Sequence, residues 1–151
     1  MDKGVRTEVV KRRLAFEADP AGFVETYAGA EAELGKAIEV AQGRLADVVM
    51  PEELLDLIAE ICIAYGVDGM RADLVIHKTA RTICSWDGEL EVTAGHVRRA
   101  AELAMPHRQR KQPFDEPGFD ESKLDEAMQN HQNQTEQDSG ERESETESEG
   151  D

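Results

Sequence analysis

Apolar residues recur along most of this chain at spacings of three and four, the interval that lines one face of an α-helix. In the first segment they fall at Val5, Val9, Val10, Leu14 and Phe16, with Lys11, Arg12 and Arg13 between them. Asp19-Pro20 ends that segment, because the proline ring clashes with the preceding turn and disfavours helical geometry at the residue before it. Pro20 also suits the first position of a new helix, where its missing N–H costs nothing. There the apolar row reads Phe23, Tyr27, Ala30, Leu34, Ala37, Ala41, Leu45 and Val48. It predicts a helix of roughly 26 residues, about 40 Å long. The alanines on that row fit close packing against neighbouring helices better than a free coiled coil, and Gly22, Gly29, Gly35 and Gly43 weaken the helix.

Pro51 opens a third helix, with Glu52 and Glu53 near the positive end of its dipole. Leu54, Leu55, Ile58, Ile61, Cys62 and Tyr65 are its expected buried side, and Gly66 its end. The short connection Val67-Asp68-Gly69-Met70 leads into a helix from Arg71 to about Trp86, with Ala72, Val75, Ile76, Thr79, Ile83 and Trp86 on one broad face. Asp87-Gly88 reads as a turn and Glu89 to Val92 as a short extended piece. Thr93 is placed to cap a last core helix, Ala94 to Met105, which turns Val97, Ala100, Ala101 and Ala104 inward before Pro106 closes it. The pattern predicts an all-α helical bundle.

Composition changes the picture at the C-terminal end. The chain has 151 residues, only seven of them aromatic, and a formal net charge of −16. Residues 115–151 hold 14 acidic and two basic residues, so most of the excess negative charge sits in the last quarter. A halophile-type acidic surface would spread its charge along the whole chain. Glu121 to Gln132 has the makings of a transient helix, but from Gln129 onward Gln, Asn, Glu and Ser leave almost nothing to bury, so a disordered acidic tail is expected. Phosphate neutralisation needs a basic face, which argues against nucleic acid. The run Arg98, Arg99, His107, Arg108, Arg110, Lys111 lacks interleaved aromatics and suits helix C-termini. No apolar stretch has transmembrane length and none resembles a signal peptide, so no membrane partner and a cytoplasmic location are expected. Cys62 and Cys84 lie inside apolar helical patterns and read as small buried thiols.

Candidate chemistry is sparse. The sequence has no Gly-rich loop followed by Lys-Ser/Thr to cradle phosphates, and no nucleophile paired with a base in a recognisable signature. His77, His96 and His107 are ten or more residues apart on separate segments, a poor zinc set. One position stands out. Arg71 starts a helix directly after a connection containing two glycines, and a cation there has the wrong sign for the dipole. A local salt bridge with Asp73 or Asp68 explains it, and spacing alone favours that reading. The alternative is an arginine aimed at an anion carried by another domain or chain.

The run Val9-Val10-Lys11-Arg12-Arg13-Leu14-Ala15-Phe16-Glu17-Ala18-Asp19-Pro20 resembles the last core helix of magnesium-chelatase AAA+ ATPase subunits, of the separate or the fused type. Gly69-Met70-Arg71-Ala72-Asp73, Glu91-Val92-Thr93, Gly95-His96-Val97-Arg98-Arg99-Ala100-Ala101 and Met105-Pro106-His107-Arg108 resemble the same family's helical lid. The resemblance covers roughly residues 5–112 and departs at Gly95-His96, where the family more often has an acidic pair. That departure touches capping rather than mechanism.

The resemblance implies residues 1–19 as the last helix of an AAA+ core, 20–112 as the lid, and 113–151 as an acidic linker. It implies ATP and Mg²⁺ as cofactors of a parent protein, a hexameric ring, partner chelatase subunits, and metal insertion (magnesium or cobalt) into a tetrapyrrole. Arg71 matches the position of the sensor-2 arginine, which contacts the γ-phosphate from the lid, and this reverses the preference for a salt bridge. The Walker motifs belong to the core, so the chain alone is expected to bind no cofactor and to be inactive. Two alternatives stay open: the lid of a MoxR-type AAA+ ATPase, and a non-enzymatic helical adaptor.

Overall fold

The computed structural model describes residues 2–67, 69–107 and 120–148, the side chains of 107 and 135–148 excepted. The described residues form six α-helices: α1 (Lys3–Ala18), α2 (Pro20–Arg44), α3 (Glu53–Ala64), α4 (Arg71–Asp87), α5 (Ala94–Ala104) and α6 (Glu121–Ser148), with a 3-10 turn at Met105–His107. Among them there is no strand, and a single parallel bridge joins Val49 to Glu91. The all-α expectation is met. None of the described helices is long and apolar enough to cross a membrane. The chain divides into two compact units, residues 1–43 and 44–151.

In the first unit, Asp2 caps α1 by accepting the Gly4 N–H (3.0 Å), and Asp19 does the same for α2 with the Gly22 N–H (3.0 Å). Phe16 meets Phe23 edge-on at 5.7 Å, Tyr27 lies 4.7 Å beyond, and the Arg12 guanidinium sits over the Tyr27 ring. These contacts hold the α1–α2 elbow but bury nothing fully. Val5, Val9, Val10 and Leu14 are each more than half exposed, as are Val24, Leu34 and Val40. The tight packing expected of the α2 row is not made within this unit.

The second unit holds the core. It begins where α2 stops, four residues before the sequence pattern ends. Arg44 donates to the Ser85 carbonyl (2.6 Å) and Arg81 to the Leu45 carbonyl (2.9 Å), tying the chain leaving α2 to α4. Released from the helix, Val48 enters the core and Val49 pairs with the segment before α5 through Val49 N–H to Leu90 (2.8 Å) and Val92 N–H to Val49 (3.0 Å). The extended reading of Glu89–Val92 is realised there.

Leu57, Ile61, Ile76, Val97, Ala100 and Met105 are fully buried in one cluster with Leu54, Ile58, Cys62 and Cys84. Leu57, rather than the expected Leu55, faces inward: Leu55 is 44% exposed and Leu57 0%. Trp86, also assigned to the apolar face, is half exposed. Gly66 (φ 61°) and Gly88 (φ 93°) end α3 and α4 in the left-handed region, where a Cβ would be strained. The following N–H groups, of Val67 and Glu89, reach back to Cys62 and Cys84, closing both helices with the same six-to-one bond.

The C-terminal helix is where composition and structure diverge. Leu124 is fully buried, Ala127 nearly so, and Met128 packs beside them. Tyr65 donates its hydroxyl to the Asp120 carbonyl (2.5 Å), and Arg98 bridges Glu102 (3.1 Å) and Asp125 (2.6 Å). Two apolar side chains one turn apart thus attach the start of the acidic segment to α3. Beyond residue 130 the sequence offers no apolar residue. Amide exchange is therefore expected to be slow across 124–128 and close to unstructured rates beyond about residue 130, because only buried contacts sustain protection. Residue-resolved hydrogen exchange checks this, and protection continuing to Ser148 would overturn the composition argument.

Candidate functional site

Arg71 opens α4. The chain reaches it from the end of α3 through Gly66 and Gly69, both with positive φ. The next residue, Ala72, is buried, and Ile76 one turn on is fully buried, so α4 is seated in the core from its first turn. Arg71 itself is exposed, flanked by the exposed Met70 and Leu74. Asp73, one candidate for its salt-bridge partner, forms no ion pair with it. It interacts with the Cys62 thiol, whose pKa burial, and then the Asp73 carboxylate, push up to about 12. That thiol stays protonated and unreactive at neutral pH. Asp68, the other candidate, lies outside the described residues. Among the described residues Arg71 makes no ion pair, and it stands exposed at the start of α4.

Two basic residues of the sequence pattern are occupied within the bundle. Arg99 pairs with Asp87, and Arg98 holds α6 as above. Arg108, Arg110 and Lys111 lie outside the described residues.

His96 caps α5, and its ring does a carboxylate's work. Its Nδ1 accepts the Thr93 N–H (3.0 Å) and lies 3.0 Å from the Thr93 hydroxyl, completing a capping box at the head of α5. With Nδ1 accepting, Nε2 carries the proton and faces Asp87 (3.6 Å) and Glu89 (3.8 Å). A metal at Nε2 would need Nδ1 to be a donor, so this trio does not suit a cation. His77 is partly buried on α4, its pKa lowered by burial and by Arg81 and Lys78. No group of three metal-ligating side chains occurs among the described residues.

Sequence reasoning found Arg71 but not the Arg44 and Arg81 contacts. Those span 41 and 36 residues and end on backbone carbonyls, which carry no local sequence signal.

Within this helical bundle, residues 55–127 match the AAA lid domain family. Over 115 residues the chain is 42% identical to the magnesium-chelatase 38 kDa subunit of Acidiphilium rubrum, covering 76% of this chain and 33% of that protein. It is 35% identical over 112 residues to a magnesium-chelatase subunit homolog of Methanocaldococcus jannaschii (74% and 31%). An uncharacterized protein of Mycobacterium tuberculosis is 49% identical over 117 residues (78% and 19%). These matches support this chain as the lid region of a magnesium-chelatase AAA+ subunit. It spans about a fifth to a third of the length of these relatives.

Proposed function

We propose that this chain is the nucleotide-sensing lid of an ATP-driven chelatase subunit, with Arg71 contacting the γ-phosphate. The observation that carries the reading is the Arg71 guanidinium itself: exposed, without an ion pair among the described residues, and fixed at the head of a core-seated helix inside the AAA lid match. An arginine fork is suited to phosphate oxygens, and its position at the edge of a rigid bundle lets a movement of the lid bring it to the nucleotide or withdraw it. ATP with Mg²⁺ would supply the free energy. This chain offers it one guanidinium, and the phosphate cradle and metal ligands would come from the AAA+ core.

The exposed apolar row Val5, Val9, Val10 and Leu14 supports α1 as the last helix of that core, covered when the core packs on it. Residues 20–112 are then the lid, joined by the α6 anchor through Ala127, and the rest of 113–151 an acidic linker. Neighbouring ring subunits, six in the full ring, and other chelatase subunits would be the partners. The cargo would be magnesium or cobalt entering a tetrapyrrole.

The chain alone is expected to bind ATP no more tightly than millimolar, since one arginine leaves most of the triphosphate charge uncompensated. Titration calorimetry checks this. Micromolar affinity would mean the chain holds a complete phosphate site and is not a lid.

A further inference from the structure

We infer that the cleft between α3 and α6 receives an arginine side chain presented by another protein. The cleft has a volume of about 430 Å³ and is lined by Glu60 and Ile63 of α3 and by Ala127, Asn130, Asn133 and Gln134 of α6. Glu60 is the ionisable side chain in that lining. Its Oε2 is buried and has no hydrogen-bond partner among the described residues. Buried carboxylate oxygens are ordinarily satisfied, and an orphaned one favours any donor that reaches it through the cleft.

The rest of the lining narrows the chemistry of that donor. Asn130, Asn133 and Gln134 each add an amide, whose carbonyl is a neutral acceptor and whose NH2 is a donor. Ile63 is 78% exposed and, with Ala127, gives an apolar wall along which a methylene stem can lie. Arginine answers the carboxylate, the amide carbonyls and the apolar wall with five N–H donors in a planar fork on an apolar stem. Lysine presents a compact, strongly hydrated charge that suits a spread of amide acceptors less well. The 14 acidic and two basic residues of 115–151 favour a basic partner over nucleic acid. The inference uses neither Arg71 nor nucleotide, so it stands apart from the proposed sensing role.

The test is an NMR titration of the full chain with N-acetyl-argininamide, following the side-chain amide signals of Asn130, Asn133 and Gln134. These signals should shift saturably at millimolar concentration. The citrulline analogue, equal in shape but uncharged, should bind about tenfold more weakly or worse, for want of the charge-assisted bond. Glu60→Gln should abolish saturation while leaving the melting temperature in place. If that variant fails to fold, Asn130→Ala takes its role, and unchanged affinity there overturns the inference. Equal binding of citrulline, the same shifts with calcium chloride, or shifts spread along residues 135–151 in place of the cleft would also overturn it.

Discussion

With the proposed γ-phosphate contact, replacing Arg71 with alanine in the proposed parent chelatase is expected to lower ATP hydrolysis and metal insertion together, by roughly 10- to 150-fold. That range is the rate equivalent of losing one charge-assisted phosphate contact worth ~1.5–3 kcal/mol. The two activities should fall in parallel because the proposed contact precedes both. Lysine should rescue poorly, since a point charge does not reproduce the two parallel N–H bonds of the fork. The fold should be indifferent to the change. Arg71 is exposed and bonds no carboxylate among the described residues, so truncation removes little packing, and surface substitutions of this kind stay within about 0.5 kcal/mol. Melting curves and ATPase rates on the same variants separate the outcomes. Unfolding would point to a structural arginine; normal folding with wild-type hydrolysis would remove Arg71 from the nucleotide site.

The largest effect on stability is expected at Leu124. Its side chain is fully buried against α3, and Leu→Ala at such a site costs about 2–5 kcal/mol through lost transfer energy and the cavity left behind. For a domain of this size a loss near 3 kcal/mol lowers Tm by roughly 10–20 °C. Leu55→Ala is the matched control: it removes the same atoms from a site 44% exposed and should cost well under half as much. Thermal unfolding followed by circular dichroism distinguishes them. Equal, small effects would detach α6 from the bundle and return residues 113–151 wholly to the linker. A large effect at Leu55 would mean α3 turns its other face inward.

The consequences of that comparison reach the proposed function. If α6 is held by Leu124, Ala127 and the Arg98–Asp125 pair, the α3–α6 cleft with Glu60 is a permanent feature of the lid. Its arginine site would then be available whether or not nucleotide is bound.

Much of this architecture is legible in the linear pattern, because helix ends are local events. Pro20 starts a helix, Gly66 and Gly88 supply left-handed caps, and Thr93 sits where α5 needs an N-cap; each acts within a few residues of itself. The head of α4 is equally local, so the sequence alone singles out Arg71 by its sign against the helix dipole. What the pattern leaves open is which face finds a partner. A spacing of three and four places Leu54, Leu57 and Ile58 together as readily as Leu54, Leu55 and Ile58, and only the position of α4 and α5 selects Leu57.

The end of α2 was decided at a distance as well, by Arg44 and Arg81 binding carbonyls some forty residues away. The α6 anchor is the clearest case. Composition averages a segment, and the mean of a polyanionic stretch hides two apolar residues three positions apart. Burial acts on each side chain singly, so Leu124 and Ala127 enter the core although their surroundings are polar. Local chemistry determined the helices and the position of Arg71, while tertiary packing decided which faces are buried and where the lid ends.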